Sequence, residues 1–530
     1  MARKKKPRVI AVIDFETDPF MHGREVAPFA AGFYDGVRYH QIWGDDCVVR
    51  LMTYIDAIET PLTIYAHNGG KFDFHFLLKY LAGRAIIVNG RILKIKTKVH
   101  EYRDSYGIIP IPLKGYKKQD IDYRKMEKDC REKHKIEILD YLKSDCLYLH
   151  ELVLAFNNMF GDKLTIGSTA LSELEKRHPF EHISATYDEL LRPYYMGGRV
   201  QCFESGMVAG DLKLYDVNSM YPSVMRDFQH PIGSTWKNTD DPDTADFITL
   251  ECTAKGCFPL QSNEGLTFPH ARAVYHVTGH EYREALRLRL FAHAKILDCW
   301  ESGKHGDFAA FVNEFYNLRL KAKANDDALS VLFYKLIMNS AYGKTGQNPE
   351  NFADYKLTGD GKEDLSEILE LQESGWESKE MGAGWIIWER PCVVQNYFNV
   401  GIAASITGAA RSILMRAIHT AKRPVYCDTD SILCEQLNAD LDEKRLGAWK
   451  HECDASHALI LGKKMYTLYD GFKHVKSATK GVRLTPLELL QIHTKGTMLI
   501  NQDAPTFKFG KQTFISRSIR ETSRERNTAQ

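Results

Sequence analysis

The stretch Val425–Cys434, VYCDTDSILC, sets two carboxylates, Asp428 and Asp430, between two runs of apolar residues. Apolar runs on both sides of a short polar centre indicate a buried β-hairpin with the acids at its turn. Two carboxylates so close together repel each other and lose hydration, unless a positive charge lies between or beside them. The pattern therefore predicts a bound cation, a pairing with Arg or Lys, or an ordinary turn, where Asp is common.

Length and composition describe an ordinary globular chain of more than one domain. The chain has 530 residues, of which 44% are apolar and 26% charged, and its net charge is +1. One hydrophobic core rarely supports so many residues, and this charge gives no global basic field for nucleic acid. Eleven cysteines without a CxxC pair argue against a zinc site or a disulfide framework. No apolar run reaches membrane-spanning length, so we expect a cytoplasmic protein without a membrane partner. We also expect a monomer.

Two blocks of secondary structure follow from the apolar periodicity. The first 165 residues alternate strand-like and helical runs, which predicts an α/β domain. The second block contains a strand in LKLYDVNSMYPSVM and a long helical section from Phe308 to Tyr342. Segment 228–310 is irregular and strand-like, and segment 346–392 is polar and rich in Gly and Glu. We therefore expect two insertions within the second block.

Acidic residues recur at strand and helix ends in the first block. AVIDFETDP places Asp14 and Glu16 on one face of a strand, and AHNGGKFDFHF supplies Asp73 after another strand. YLKSDCLYL supplies Tyr141 and Asp145, which are four apart and adjacent on a helix. Such acids could simply meet solvent at strand ends. As a set, four carboxylates and a tyrosine suit phosphodiester hydrolysis with two divalent cations.

A second acidic set surrounds the opening hairpin. YDVNSMYPSVM places Asp216 at another strand end. In YKLIMNSAYGKTGQ, Lys335, Asn339 and Tyr342 fall at i, i+4 and i+7, so a helix would present them as one stripe. A stripe of this kind is often only a helix edge. Here it would offer a cation to triphosphate oxygens and a flat ring to a base pair.

Both sets resemble the motifs of a known family. Asp14, Glu16, Asp73, Asp145 and Tyr141 are similar in order and spacing to the DEDDy 3′–5′ exonuclease motifs. The forms DxxSxYP, KxxxNSxYG and YxDTDS resemble motifs A, B and C of family B DNA polymerases. The resemblance implies an RNase H-like exonuclease domain followed by a right-hand polymerase with palm, fingers and thumb. The expected fold class is α/β plus α+β multidomain, and the expected activity is DNA-directed DNA synthesis with proofreading.

The resemblance also implies roles for the acidic sets. Two Mg²⁺ per site, with Mn²⁺ as an alternative, would be bound by Asp216, Val217 and Asp430 in one site and by Asp14, Glu16 and Asp145 in the other. Asp428 and Asp73 would support them, and Tyr141 would orient the water. Lys335, Asn339, Tyr342 and Lys464 would contact the incoming nucleotide, and Tyr221 would pack against its sugar and exclude a 2′-OH.

Shorter matches extend the resemblance to DNA contacts. YYMGG resembles the YxGG element between the two domains, TGAAR resembles Tx₂(G/A)R, KKMY resembles KxY, and KQDI resembles Kx₂h, whose Lys118 would assist the exonuclease. The implied DNA-binding residues are Thr17, Tyr65, His67, Asn68, Phe72, Phe76, Ser105, Tyr106, Tyr123, Tyr195, Gly197, Gly198, Ser219, Gly343, Thr407, Arg411 and Tyr466.

The small size, Lys118 and the two insertions resemble the protein-primed subgroup, as found in tectivirus-type bacteriophages. That resemblance implies a linear viral or plasmid genome copied with strand displacement, with DNA template and primer, dNTPs, a terminal protein and a single-stranded DNA-binding protein as partners. The implied domains are 1–165 exonuclease, 166–227 first part of the palm, 228–310 terminal-protein-contacting insertion, 311–345 fingers, 346–392 second insertion for processivity and strand displacement, 393–484 second part of the palm and 485–530 thumb.

Other functions account for fewer of these motifs. A nuclease alone leaves the second acidic set without a purpose. A family B polymerase for repair or replication without terminal protein uses the same motifs and stays open. A reverse transcriptase or RNA polymerase would not need the NSxYG helix together with Tyr221. A nonenzymatic nucleic-acid-binding module would not need seven metal-suited carboxylates.

Overall fold

The computed structural model describes residues 8–113, 120–263, 265–359, 365–382, 384–392 and 396–521. The chain forms two compact units. The first consists of Met1–Thr169, Pro349–Gln395 and Ile500–Arg517, and the second of Ala170–Asn348, Asn396–Leu499 and Ser518–Gln530. The sequence-based domain boundaries stay a prediction, since a division into two units does not resolve seven segments.

A mixed sheet forms the centre of the first unit. Val9–Thr17 pairs in parallel with Leu62–Ala66, which pairs in parallel with Glu101–Asp104. In sheet order the strands described are Glu377–Gly382, Trp385–Pro391, Ala353–Gly359, Gly83–Val88, Arg91–Lys96, Glu101–Asp104, Leu62–Ala66, Val9–Thr17, Pro28–Tyr34 and Tyr39–Trp43. The helices of this unit are Cys47–Asp56, Asp73–Leu77, Lys135–Phe160 and Leu365–Glu373, while most of the helix Ile166–Arg177 belongs to the second unit.

The polar segment 346–392 contributes three strands to this sheet. Ala353–Gly359 pairs antiparallel with Gly83–Val88, although more than 250 residues separate the two strands in sequence. A short hairpin, Thr506–Lys508 with Lys511–Thr513, also belongs to the first unit. Its Phe507 is buried, with ring centroids 5.3 Å from both Phe72 and Phe76. No local sequence pattern indicates either of these long-range contacts.

An antiparallel sheet forms the centre of the second unit. In sheet order the strands described are Lys473–Ala478, Met465–Asp470, Trp449–Gly462, Gly206–Val217, Ser431–Gln436, Lys422–Asp428 and Val200–Cys202. One face is closed by a core that includes Leu212, Leu214, Val425, Leu433 and Ile460. The hairpin predicted from VYCDTDSILC is confirmed, because Asp428 pairs directly with Ser431 across its turn.

Segment 228–310 is more regular than the sequence indicated. Within the described residues it forms a sheet of Trp236–Asn238, Phe291–Ser302, Phe247–Lys255 and His270–Thr278, with the helix Gly279–Arg287. The helix begins with a capping box, in which the Thr278 hydroxyl and the Glu281 carboxylate each bond to the other's backbone N–H.

The expected long helical section from Phe308 to Tyr342 is two helices, Ala309–Ala324 and Ala328–Thr345. The break lies at 325–327, where Asp326 has a φ of +54° and the Asp327 side chain accepts a hydrogen bond from Ser330 N. Other helices of this unit are Ala185–Leu191, Met220–Asp227, Val400–Thr420 and Pro486–Lys495. No helix in the described ranges is long and apolar enough to cross a membrane.

Candidate catalytic sites

Three of the predicted carboxylates meet in the first unit. Asp14 and Glu16 lie two apart on the strand Val9–Thr17 and so share a face, while Asp145 projects from the buried side of the helix Lys135–Phe160. One ligand oxygen from each lies within 4.8 Å of the other two. Elsewhere in the described part of the chain, no other group of three metal-ligating side chains comes this close.

Asp73 lies at the start of the helix Asp73–Leu77 and is 2% exposed. Burial raises its pKa well above the usual range, and the nearby Asp14 carboxylate raises it further. Its Oδ1 is buried without a hydrogen-bond partner in the described structure. The turn that positions Asp73 requires glycine at 70, since a Cβ there would lie 2.1 Å from the Ile92 carbonyl oxygen.

Tyr141 lies one helical turn before Asp145, as the sequence spacing predicted. Its hydroxyl is 3.2 Å from that of Tyr123, whose side chain is half exposed. Burial raises the pKa of Tyr141 far above its usual value, and the Asp145 charge adds to the shift. The phenol therefore keeps its proton at physiological pH and can donate a hydrogen bond.

The predicted single-strand channel residues differ in exposure. Thr17, Tyr65 and Ser105 are buried, while those half-buried are His67, Asn68, Phe72, Phe76 and Tyr106. His67 bridges the Ser105 hydroxyl and the Ile111 carbonyl, each at 2.9 Å. The aromatic pair Phe72 and Phe76 packs on Phe507, which sequence reasoning missed. Lys118 lies outside the described residues.

The second acidic set lies on neighbouring strands of the second unit. Asp216 is opposite Ser431, and Ser431 is opposite Asp428, so the strand Gly206–Val217 and the hairpin place their acids side by side. The Val217 N–H donates to the Asp430 carbonyl at 2.8 Å. Burial, followed by the charges of Asp216 and Asp428, raises the pKa of Asp430 to about 6.

Two lysines partly offset the repulsion among these carboxylates. Lys464 donates to both oxygens of Asp428, at 2.6 and 2.9 Å. Lys450 lies 3.5 Å from Asp216 and 3.3 Å from Glu452, and sequence reasoning missed it. Lys450 lies directly opposite Asp216 on the strand Trp449–Gly462, and Glu452 lies two residues further along the same strand. Pairing with lysine, one of the three possibilities left open by the sequence, is therefore present, although no lysine among the described residues forms an ion pair with Asp430.

Three non-glycine residues around this set have left-handed backbone conformations. The φ angles are +54° at Ser219, +58° at Thr429 and +59° at Lys464. Conformations of this kind are unfavourable for residues with a Cβ and often occur at functional sites. Here the three conformations occur at strand ends: after Gly206–Val217, after Lys422–Asp428 and before Met465–Asp470.

The predicted nucleotide-binding tyrosines stack on each other. The Tyr221 and Tyr342 rings are 4.5 Å apart with an interplanar angle of 26°. Gly198 passes so close that a Cβ would lie 3.1 Å from the Tyr221 hydroxyl and 2.8 Å from Thr429. The other predicted residues of the helix Ala328–Thr345 are exposed: Lys335, Asn339 and Gly343. Half-buried Tyr195 and exposed Gly197 complete the predicted YxGG loop.

Three residues predicted to contact DNA in this unit are buried: Thr407, Arg411 and Tyr466. Arg411 is 2% exposed, and its guanidinium pairs with Glu281 through contacts of 2.7 and 2.9 Å. Its Nη1 also donates to the carbonyls of Met196 and Gly197. The guanidinium thus anchors the YxGG loop and does not face solvent in this structure. Tyr466 packs on Tyr426.

Comparison with known proteins supports the fold. The solved structure of phi29 DNA polymerase complexed with primer-template DNA and incoming nucleotide substrates matches with a TM-score of 0.74 and 20% identity. The match covers 97% of this chain and 100% of that one. It confirms the expected fold class, an exonuclease domain followed by a right-hand polymerase. The fold is therefore that of a DNA polymerase.

Sequence comparisons identify the family of the chain. The model of the family described as DNA polymerase type B, organellar and viral, matches residues 109–445. The DNA-directed DNA polymerase of Enterobacteria phage PRD1 is 42% identical, over 98% of this chain and 99% of the relative. The DNA polymerase of Bacillus phage phi29 is 26% identical, over 87% of each chain. The chain belongs to the type B DNA polymerase family and is a DNA-directed DNA polymerase.

Proposed function

We propose that the two carboxylate sets are two divalent-metal sites, one for nucleotide addition and one for removal of the primer end. The approach of Asp14, Glu16 and Asp145 within 4.8 Å carries this proposal. All the donors are oxygens, which suits Mg²⁺, with Mn²⁺ as an alternative. The orphaned Oδ1 of Asp73 adds a further oxygen to the first set. Bound cations would supply Lewis-acid stabilisation of charge on the reacting phosphate.

In the polymerase site, Asp216 and Asp430 are the principal ligands, with the Val217 backbone beside them. Asp430, with a pKa of about 6, is mostly ionised at neutral pH and is ready to bind a cation. Asp428 is held in place by Lys464 and supports the two ligands. Lys335 and Asn339 contact the incoming triphosphate, and the stacked rings of Tyr221 and Tyr342 form a flat floor for the nucleotide.

In the exonuclease site, Asp14, Glu16 and Asp145 hold the cations, with Asp73 beside them. Tyr141 remains protonated, so its hydroxyl can donate a hydrogen bond that orients the attacking water or a phosphate oxygen. Lys118 assists from the Kx₂h element. Phe72, Phe76 and the half-exposed Tyr123 stack on a frayed primer end, because base stacking tolerates any sequence.

The remaining predicted DNA contacts fall into two groups by exposure. Residues that reach solvent, among them Tyr106, Tyr195, Gly197 and Gly343, contact the DNA directly. Those that are buried act by positioning what surrounds them, as Arg411 does for the carbonyls of Met196 and Gly197. We also propose the domain boundaries expected from the sequence, and we propose that segment 228–310 contacts the terminal protein.

We further propose that synthesis starts on a hydroxyl of a terminal protein. The polymerase would then copy a linear viral or plasmid genome with strand displacement. The similarity to the PRD1 enzyme over nearly the whole chain supports this. A single-stranded DNA-binding protein would protect the displaced strand. A family B polymerase that extends only DNA primers is the second candidate.

Labelled nucleotide separates the two candidates. The enzyme is incubated with Mg²⁺, labelled dATP or dGTP and candidate primer proteins, and the products are resolved under denaturing conditions. Protein priming predicts a labelled protein band that persists after boiling and that is absent with Asp430→Asn. Extension of DNA primers without any labelled protein would identify the DNA-primed enzyme instead.

A further inference from the structure

A cavity of about 210 Å³ in the second unit is lined by none of the carboxylates of the two sets. It is bounded by the edge strand Val200–Cys202, by the adjoining ends of Phe247–Lys255 and His270–Thr278, and by the last turn of Val400–Thr420. The basic and imidazole side chains that line it are Arg199, Lys255, His270 and His419. No acidic residue lines it within the described part of the chain.

Arg199 is the unusual member of this lining. It is 2% exposed, and its guanidinium lies 4.3 Å from the centre of the Phe268 ring. Nε and Nη2 both donate to the same oxygen, Oε1 of Gln201, at 3.1 and 2.6 Å. The buried Nη1 has no hydrogen-bond acceptor among the described residues. Burying a charge in this way is unfavourable unless a counter-charge is bound.

Neighbouring charges do not neutralise Arg199. The carboxylate that acts on it electrostatically, Glu281, is already held by both arms of Arg411. Burial, then the charges of Arg199 and His270, lower the pKa of His419 to about 4, so this imidazole is neutral at pH 7. The helix end near His419 carries about −0.5 charge, which is smaller than the formal charges of Arg199 and Lys255 together. The cavity is therefore electropositive.

We propose that this cavity binds a phosphate-type oxyanion through Arg199 and Lys255. Guanidinium pairs with phosphate through two parallel hydrogen bonds from two of its nitrogens. Nη1 has no acceptor among the described residues, and Nη2 uses one of its two N–H groups on Gln201. The volume is below the roughly 300 Å³ at which pockets for drug-sized ligands begin, so the cavity suits one or two phosphate groups rather than a whole nucleotide. The inference does not depend on the proposed roles of the carboxylates.

An oxyanion here would act on the polymerase hairpin through the backbone of the same residue. The Arg199 carbonyl accepts a hydrogen bond of 2.7 Å from Thr429 N, between Asp428 and Asp430. Gln201 pairs with Cys427 in the adjoining strand. Binding at the guanidinium therefore fixes the strand end that holds the turn of the acidic hairpin.

Thermal unfolding in inorganic phosphate tests the site. Ionic strength is held constant with chloride, and wild type is compared with Arg199→Met and with Arg272→Met as the matched control. Arg272 lies on the same small sheet, but it is exposed and paired with Glu251. We expect the melting temperature of wild type and of Arg272→Met to rise with the logarithm of phosphate concentration above saturation. Arg199→Met should show no such rise.

Further measurements identify the source of the oxyanion and control for a variant that does not fold. Loss of the phosphate response in Arg199→Met identifies a free oxyanion as a ligand. Weaker single-stranded DNA binding by Arg199→Met alone, without any phosphate response in wild type, identifies a DNA backbone phosphate. If Arg199→Met does not fold, Arg199→Lys keeps the charge but loses the paired donors, and a smaller phosphate response is expected. Equal phosphate responses and equal DNA affinities in wild type and the Arg199 variants would overturn the proposal.

Discussion

Replacing Glu281 with Gln removes the negative charge from a buried ion pair while keeping the shape of the side chain. Glu281 is fully buried, and its two oxygens accept from Arg411 at 2.7 and 2.9 Å and from the backbone and hydroxyl of Thr278. In Glu281→Gln one of these oxygens becomes an NH₂ group that faces a donor. Removing one partner of a buried pair typically destabilises a protein by about 3–5 kcal/mol.

The expected loss of stability is large enough to measure by calorimetry. For the second unit of about 300 residues, about 3–5 kcal/mol corresponds to a fall in melting temperature of roughly 5–8 °C. Glu251→Gln is the matched control, because its pair with Arg272 is solvent-exposed and should contribute about 0–1 kcal/mol. The double variant Glu281→Leu, Arg411→Met should recover much of the loss, since it buries no unpaired charge.

The same variant should alter the balance between synthesis and degradation. With its counter-charge gone, Arg411 no longer holds the carbonyls of Met196 and Gly197 in one position, so the YxGG loop loses its anchor. Primer extension and single-strand degradation are measured on the same preparation below its melting temperature. Should Glu281→Gln melt within a degree or two of Glu251→Gln and keep the wild-type balance, the reasoning on the buried pair is wrong.

Three further predictions concern the neighbouring networks. Lys464→Met should reduce nucleotide incorporation about 10- to 160-fold, because a hydrogen bond to a charged group contributes about 1.5–3 kcal/mol, and it should leave single-strand degradation unchanged. His230 is buried between Ser405 and the Val224 carbonyl, and burial lowers its pKa to about 4. Between pH 7.5 and 5 the unfolded state therefore takes up a proton that the folded state does not, and the folded state loses about 2 kcal/mol of stability. Denaturant titrations at the two pH values should show a smaller difference in His230→Asn. Phe507→Ala should destabilise the first unit by about 3–5 kcal/mol by calorimetry, whereas Val37→Ala, at a largely exposed position, should be nearly neutral.

Local spacing explains which features the sequence predicts well. Asp14 and Glu16 two apart on a strand, and Tyr141 and Asp145 four apart on a helix, must share a face whatever the rest of the fold does. The hairpin at Asp428 follows equally from its flanking apolar runs. These features need only the geometry of one element.

Contacts between distant segments were not predictable in this way. Glu281 meets Arg411 across 130 residues, and Phe507 packs under Phe72 across more than 400. A basic residue in a short motif does not reveal whether its side chain faces solvent, and Arg411 was predicted only to contact DNA. The helix break at 325–327 did leave a signal, because Asp327, directly before an apolar run, is a typical helix N-cap that the longer apolar periodicity obscured.

The most direct test of the two-site account measures incorporation and degradation with one substitution in each unit. Asp430→Asn and Asp14→Asn are nearly isosteric, so neither should disturb folding. We predict that Asp430→Asn abolishes Mg²⁺-dependent primer extension and still degrades single-stranded DNA at the wild-type rate, and that Asp14→Asn does the reverse. Loss of both activities from either substitution, in a protein that melts at the wild-type temperature, would contradict the account.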